Sequence, residues 1–145
     1  MAETKDKART TADAWFIGAA AWAFPGAGHY LQGKWLRGLL ITLVVCGMFA
    51  IGLAFGGHLF GLGGKEAGGG GVGASKLLQL PPTIANLGTG ILYLVCWASN
   101  SGFNDSTEYA KLATFEYGNT FLLVAGLLNY LAMLDAFDIA AGRKP

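Results

Sequence analysis

Three long intervals without a single charged side chain constrain this chain more than any other feature. No Asp, Glu, Lys or Arg occurs between Arg37 and Lys65, between Lys76 and Asp105, or between Glu116 and Asp135. Each interval can hold the roughly 20 apolar residues that cross a hydrocarbon core of ~30 Å. The composition agrees, at 53% hydrophobic and 13% charged with a mean hydropathy of +0.45, where soluble domains carry about 25% charged residues. With 145 residues the chain has length for one domain. Its net charge of +1 offers no basic face to nucleic acid.

Taken in order, residues 1–13 form a polar tail of mixed charge, with Thr10, Thr11 or Asp13 as helix caps. The tail leads into a single transmembrane domain over 14–145, and no cleavable signal peptide is evident. Residues 14–31 are the first apolar segment, in which Trp15 and Trp22 suit a membrane interface. Too few residues precede Pro25 for a straight span. The segment therefore either crosses with a kink or is re-entrant or interfacial. Residues 36–61 read as a span marked by glycines, with Gly52 and Gly56 as a GxxxG pair and Gly57 near the same side as Gly52; they are read as packing helices within the molecule, with dimerisation as the alternative.

Residues 62–80 read as a flexible connector. Gly68, Gly70 and Gly73 match GxGxxG there, but no strand precedes them and the loop lies between spans, so no nucleotide site is expected. Pro81 and Pro82 close the connector, and 83–103 form a third span with Asn86, Thr89 and Tyr93 on one face. Asn104, Asp105 or Ser106 would cap a short interfacial helix before the last span at 118–141. The expected fold is thus all-α and polytopic, with four apolar segments at about 14–31, 36–61, 83–103 and 118–141. No internal repeat is evident, and the first two segments do not mirror the last two closely enough to claim inverted symmetry. If all four cross, seven cations share a side with the termini against three opposite, which places both termini in the cytoplasm of a bacterial cell. If 14–31 does not cross, the count falls to six against four.

Few residues suggest chemistry. Asp135 and Asp138 project from one helix face and are read as partners of Arg143, Lys144 or a cation on another helix. The alternative is a cation or proton site. His29 and His58 fall at opposite membrane faces, so they do not grip one haem; each is a candidate single ligand of a pigment or metal. Asn129, Asn86, Lys34 and Arg37 are further candidates for helix packing or ion pairing. Cys46 and Cys96 each sit mid-segment as small core residues without a disulfide. No metal set, cofactor motif or catalytic constellation is present.

The stretch PGAGHYLQGKWLRGLL, through Pro25, Gly26, Gly28, Tyr30, Gly33, Lys34 and Gly38, resembles the motif of the TM-two domain family over roughly residues 14–60. The C-terminal EYGNTFLLVAGLLNYLAMLDAFDIAAGRK is similar to the end of a bacterial family of small membrane proteins of unknown function. The resemblance implies a membrane protein and assigns no activity. The expected function is a non-catalytic accessory or structural subunit packed against other integral membrane subunits in the lipid bilayer, with an electron-transfer or photosynthetic complex as one host. The alternative is a small transporter or channel component using the intramembrane polar residues.

Overall fold

The structure is a computed structural model that describes residues 11–61, 74–103, 108 and 111–144. The tail ahead of residue 11, the GxGxxG glycines at 68, 70 and 73, and the caps at 104–106 lie outside the described residues. Six helices are described: α1 (Thr11–Ala23), α2 (Ala27–Leu31), α3 (Trp35–Ala54), α4 (Ala74–Leu87), α5 (Ile91–Ala98) and α6 (Phe115–Ala140).

Among the described residues, only α3 and α6 are long and apolar enough to cross a membrane unbroken. At 1.5 Å per residue they measure about 30 and 39 Å. They run antiparallel and pack through glycines. A Cβ on Gly52 would meet the Leu122 side chain at 2.7 Å, and one on Gly57 would meet the Gly118 backbone at 2.6 Å. Their outer faces stay apolar, with Trp35, Leu36, Leu43 and Leu131 all exposed. Such faces suit lipid rather than water. The core beneath is built on Val45, Phe49, Leu59, Tyr93, Cys96 and Leu122.

The Gly52–Gly56 pair turns out to be a helix cap. Gly56 lies past the end of α3 at φ +78°. Gly57 N–H donates to Gly52 O at 2.9 Å and Gly56 N–H to Leu53 O at 3.0 Å. This is the Schellman pattern, which needs a left-handed residue just after the helix, so Gly56 serves as the cap while Gly52 and Gly57 face α6. The same pattern ends α2 at Gly33, α5 at Asn100 and α6 at Gly142.

Residues 14–31 form a helical hairpin against α6. Ala14, Ile17 and Ala21 of α1 pack on Ala136 and Ala140 of α6, and Trp15 stacks on Phe137 at 5.2 Å. Thirteen residues carry α1 about 20 Å, to the level of Asn129, where Trp22 O accepts from Asn129 Nδ2 at 3.0 Å. Pro25 and Gly26 (φ +86°) then turn the chain. α2 comes back beside α1 until Gln32 Nε2 donates to Ala136 O at 2.7 Å. Both ends of the hairpin therefore lie at the C-terminal end of α6. This hairpin has the shape that the re-entrant reading requires, and α1 alone is too short for a straight span.

The third segment is also not one straight helix. Its two parts, Leu78–Leu87 and Ile91–Ala98, are bent by 109° at a break over residues 88–90. Asn86, Thr89 and Tyr93 therefore do not share a helix face; they sit before, in and after the break. Pro81 and Pro82 lie inside α4 instead of ending the connector. Proline removes a donor but keeps a helical φ, so the turn passes through them. After α5 the chain reaches the C-terminal end of α3, where Gly102 O accepts from Leu59 N–H at 2.8 Å.

The closest helix contact is at Gly126, where an added Cβ would collide with the Ala85 carbonyl of α4. Gly126→Ala is expected to lower stability in detergent by about 1–3 kcal/mol, since backbone faces backbone and neither yields cheaply. Gly47→Ala, with nothing within 4 Å of its Cβ, is expected to be neutral. Thermal unfolding followed by circular dichroism compares the two.

Candidate functional site

The candidate site is the place near the middle of α6 where the two interrupted segments meet. Asn129 holds it together. Its Nδ2 donates to Trp22 O of α1 at 3.0 Å and to Gly88 O in the break at 2.8 Å. Trp22 Nε1 donates across to Leu87 O at 3.1 Å. Trp22, expected at a membrane interface, is therefore a strut at the level of Asn129. Gly90 (φ +61°) heads α5 so close to α1 that a Cβ there would collide with the carbonyl of Trp22 and meet that of Ala23 at 2.7 Å. The carbonyl end of α1 thus faces the amide end of α5, opposite ends of two helix dipoles.

Broken helices leave backbone groups that lipid cannot satisfy, at several kcal/mol each, so such breaks occur where protein or a polar cavity covers them. Here the break satisfies itself in part. Gly88 N–H donates to Ala85 O at 3.0 Å, Gly90 N–H to Leu87 O at 3.1 Å, and Thr89 Oγ1 to Asn86 O at 2.8 Å. Asn86, Thr89 and Asn129 are all fully buried. Yet both amide atoms of Asn86, and Oδ1 of Asn129, have no hydrogen-bond partner among the described residues. A buried polar atom left in that state costs about 1–3 kcal/mol.

A second polar cluster lies toward the C-terminal end of α6. His29, 1% exposed, sets Nε2 3.1 Å from Asp135 Oδ2, and Lys144 Nζ donates to Asp135 Oδ1 at 3.0 Å. Arg143 reaches Asp138 Oδ1 at 3.4 Å. Asp135 is thus shared between the re-entrant hairpin and the C-terminal end, and its two oxygens each have a cationic or imidazole partner. Lys34 caps the start of α3, and Arg37 is exposed on its first turn.

His58 is held elsewhere, its backbone N–H donating to Asn119 Oδ1 at 2.6 Å and its ring edge-on to Phe60. Asn119 and Asp135 are separated along α6 by about 24 Å at 1.5 Å per residue, so the two histidines do not approach one another. Among the described residues no three His, Cys, Asp or Glu side chains gather to hold a metal. Cys46 and Cys96 are both free thiols.

Sequence reasoning singled out Asn86 and Asn129 and missed what joins them. The signal was Gly88-Thr89-Gly90 in the middle of an apolar segment, where glycines mark a possible interruption.

Asn129→Leu removes two hydrogen bonds between segments and is expected to cost roughly 1–3 kcal/mol, taking measured values for single bonds in membranes. Asn86→Leu removes no side-chain bond to protein and is expected to leave stability unchanged or raised. Unfolding in mixed micelles measures both; equal losses would contradict the assignment of Asn129 as the tie.

No curated protein and no solved structure matches this chain. Residues 16–145 match a Family of unknown function (DUF6677). That match takes in all but the first residues of the hairpin, the break and both long helices, and the chain belongs to this family.

Proposed function

We propose that this is a small, non-catalytic membrane protein that handles a solute at the junction of its two interrupted segments, as a channel or carrier component. One observation carries the reading. The tail of α1 and the head of α5 meet near the middle of α6 around fully buried asparagines with unpartnered amide atoms. Discontinuous helices whose ends meet at mid-membrane are the usual construction of a transporter binding site. A polar break there costs stability that a purely structural bundle has no need to give up.

The accessory-subunit reading has an observation of its own. An apolar groove of about 300 Å³ runs between Trp15, Gly18, Trp22, Met133 and Phe137 on the outer face. Small residues flanked by aromatics fit a helix of another membrane subunit.

The charges support a cytoplasmic-membrane placement with both termini inside. The start of α1, the start of α3 and the end of α6 lie at one end of the bundle. Among the described residues they bring Lys34, Arg37, Arg143 and Lys144 to that end, against Lys111 between α5 and α6. The positive-inside rule makes the richer side cytoplasmic. A TM-two-like relationship is a further part of this reading, supported by the Pro25–Gly38 stretch, in which Pro25 and Gly26 make the hairpin turn and Gly33 caps α2.

The test is reconstitution of the purified chain alone into vesicles, with equilibration of a panel of small ions and neutral solutes followed by light scattering and ion-selective dyes. At least one solute is expected to cross faster than in protein-free vesicles. No effect on any solute, together with migration at fixed stoichiometry in a larger complex on native gels, would replace this reading with the accessory one.

A further inference from the structure

Resting on that reading, we infer that the junction takes a small neutral molecule that both donates and accepts hydrogen bonds, with water the smallest of that class, and that it rejects ions. The hydrogen-bond inventory of the site sets the chemistry. Asn129 has its orientation fixed, because Nδ2 donates to two carbonyls at once, Trp22 O and Gly88 O. Its Oδ1 is left as a buried acceptor without a partner among the described residues. Asn86 adds one unpartnered acceptor, Oδ1, and one unpartnered donor, Nδ2. Both residues are 0% exposed, so bulk solvent does not complete them. Asn86 lies in the same neighbourhood: its backbone N is 3.5 Å from a Cβ built on Gly126, one turn before Asn129 on α6.

The missing partners are two donors and one acceptor. A bare cation supplies no acceptor and would meet the Asn86 N–H head-on. An anion supplies no donor for the two amide oxygens. A neutral amphiprotic molecule supplies both. Charge points the same way. The closest formal charge on α6 is Asp135, about 9 Å from Asn129 at 1.5 Å per residue, and its oxygens face His29 and Lys144. Along α6 an ion held at the junction would find no counter-charge nearer than Asp135, a costly position in a low-dielectric setting. Selection by the pattern of lining donors and acceptors is how narrow polar pathways distinguish solutes.

The experiment is stopped-flow light scattering on vesicles holding the purified protein. An osmotic step of an impermeant sugar reads water, steps of urea and of glycerol read larger members of the class, and a potassium gradient with a voltage dye reads ions. Osmotic water permeability is expected to exceed that of protein-free vesicles, with Asn86→Leu returning it to their level and potassium flux at background throughout. Urea or glycerol crossing with water would extend the class upward in size. Potassium flux without neutral-solute flux would overturn this inference and leave the transport reading standing. No flux of any kind would overturn both, and an Asn86→Leu protein as permeable as the parent would remove the junction as the site. A readout independent of any variant is magnetisation transfer from water to the Asn86 side-chain amide of the labelled parent protein. Transfer is expected, and its absence would overturn the inference.

Discussion

The two hydrogen bonds from Asn129 Nδ2 are the interaction on which the rest of this structure depends. Inside a bilayer a chain that interrupts its helices must satisfy the released backbone groups from within. α1 ends opposite α6's middle with its last carbonyls exposed to whatever lies ahead, and the α4–α5 break opens beside it. A single amide group caps both, one bond to each segment. The surrounding glycines follow from the same requirement. Gly88, Gly90 and Gly126 have no room for a Cβ, because the backbones must come within reach of one short side chain.

From that constraint follows the arrangement of the bundle. Each long helix is preceded in the chain by an interrupted segment: α1–α2 before α3, and α4–α5 before α6. The long helices run antiparallel through Gly52, Gly57 and Gly118. The order of elements therefore repeats although the residues do not, which is why comparing the segments as sequence revealed no symmetry. At the C-terminal end of α6, His29 and Gln32 fasten the returning hairpin through Asp135 and the Ala136 carbonyl, so the hairpin is fixed at its tip and at its exit.

Much of the fold class was legible because hydropathy over long charge-free intervals reports a bilayer directly. α3 and α6 are built over two of the charge-free intervals that composition marked, each running past an end of its interval. What was not legible was direction. A segment that folds back has the same composition as one that runs straight on, and the cluster that Ala14 shares with Ala136 and Ala140, with the Gln32–Ala136 hydrogen bond, tells them apart. Four-residue glycine spacing fits both a packing face and a helix end: Gly52 packs on α6 beside Gly57, and the φ of Gly56 makes it the cap. Of the site, Asn86 and Asn129 stood out as polar residues in apolar runs. Trp22 did not, because an indole is as much at home in an interface as inside a bundle.

The central claim is that residues 11–31 enter and leave at one end while the chain from α3 to α6 turns at the other. Sidedness of single cysteines tests this most directly. In a background with Cys46 and Cys96 replaced by alanine, a membrane-impermeant maleimide is applied to sealed vesicles of each orientation. The variants are Ala12→Cys and Arg37→Cys for one end, and Ser101→Cys and Ala113→Cys for the other. Ala12→Cys and Arg37→Cys are expected to react from the same side, and Ser101→Cys and Ala113→Cys from the opposite one. Reaction of Ala12→Cys and Arg37→Cys from opposite sides would mean that residues 14–31 cross the membrane, and would contradict the account.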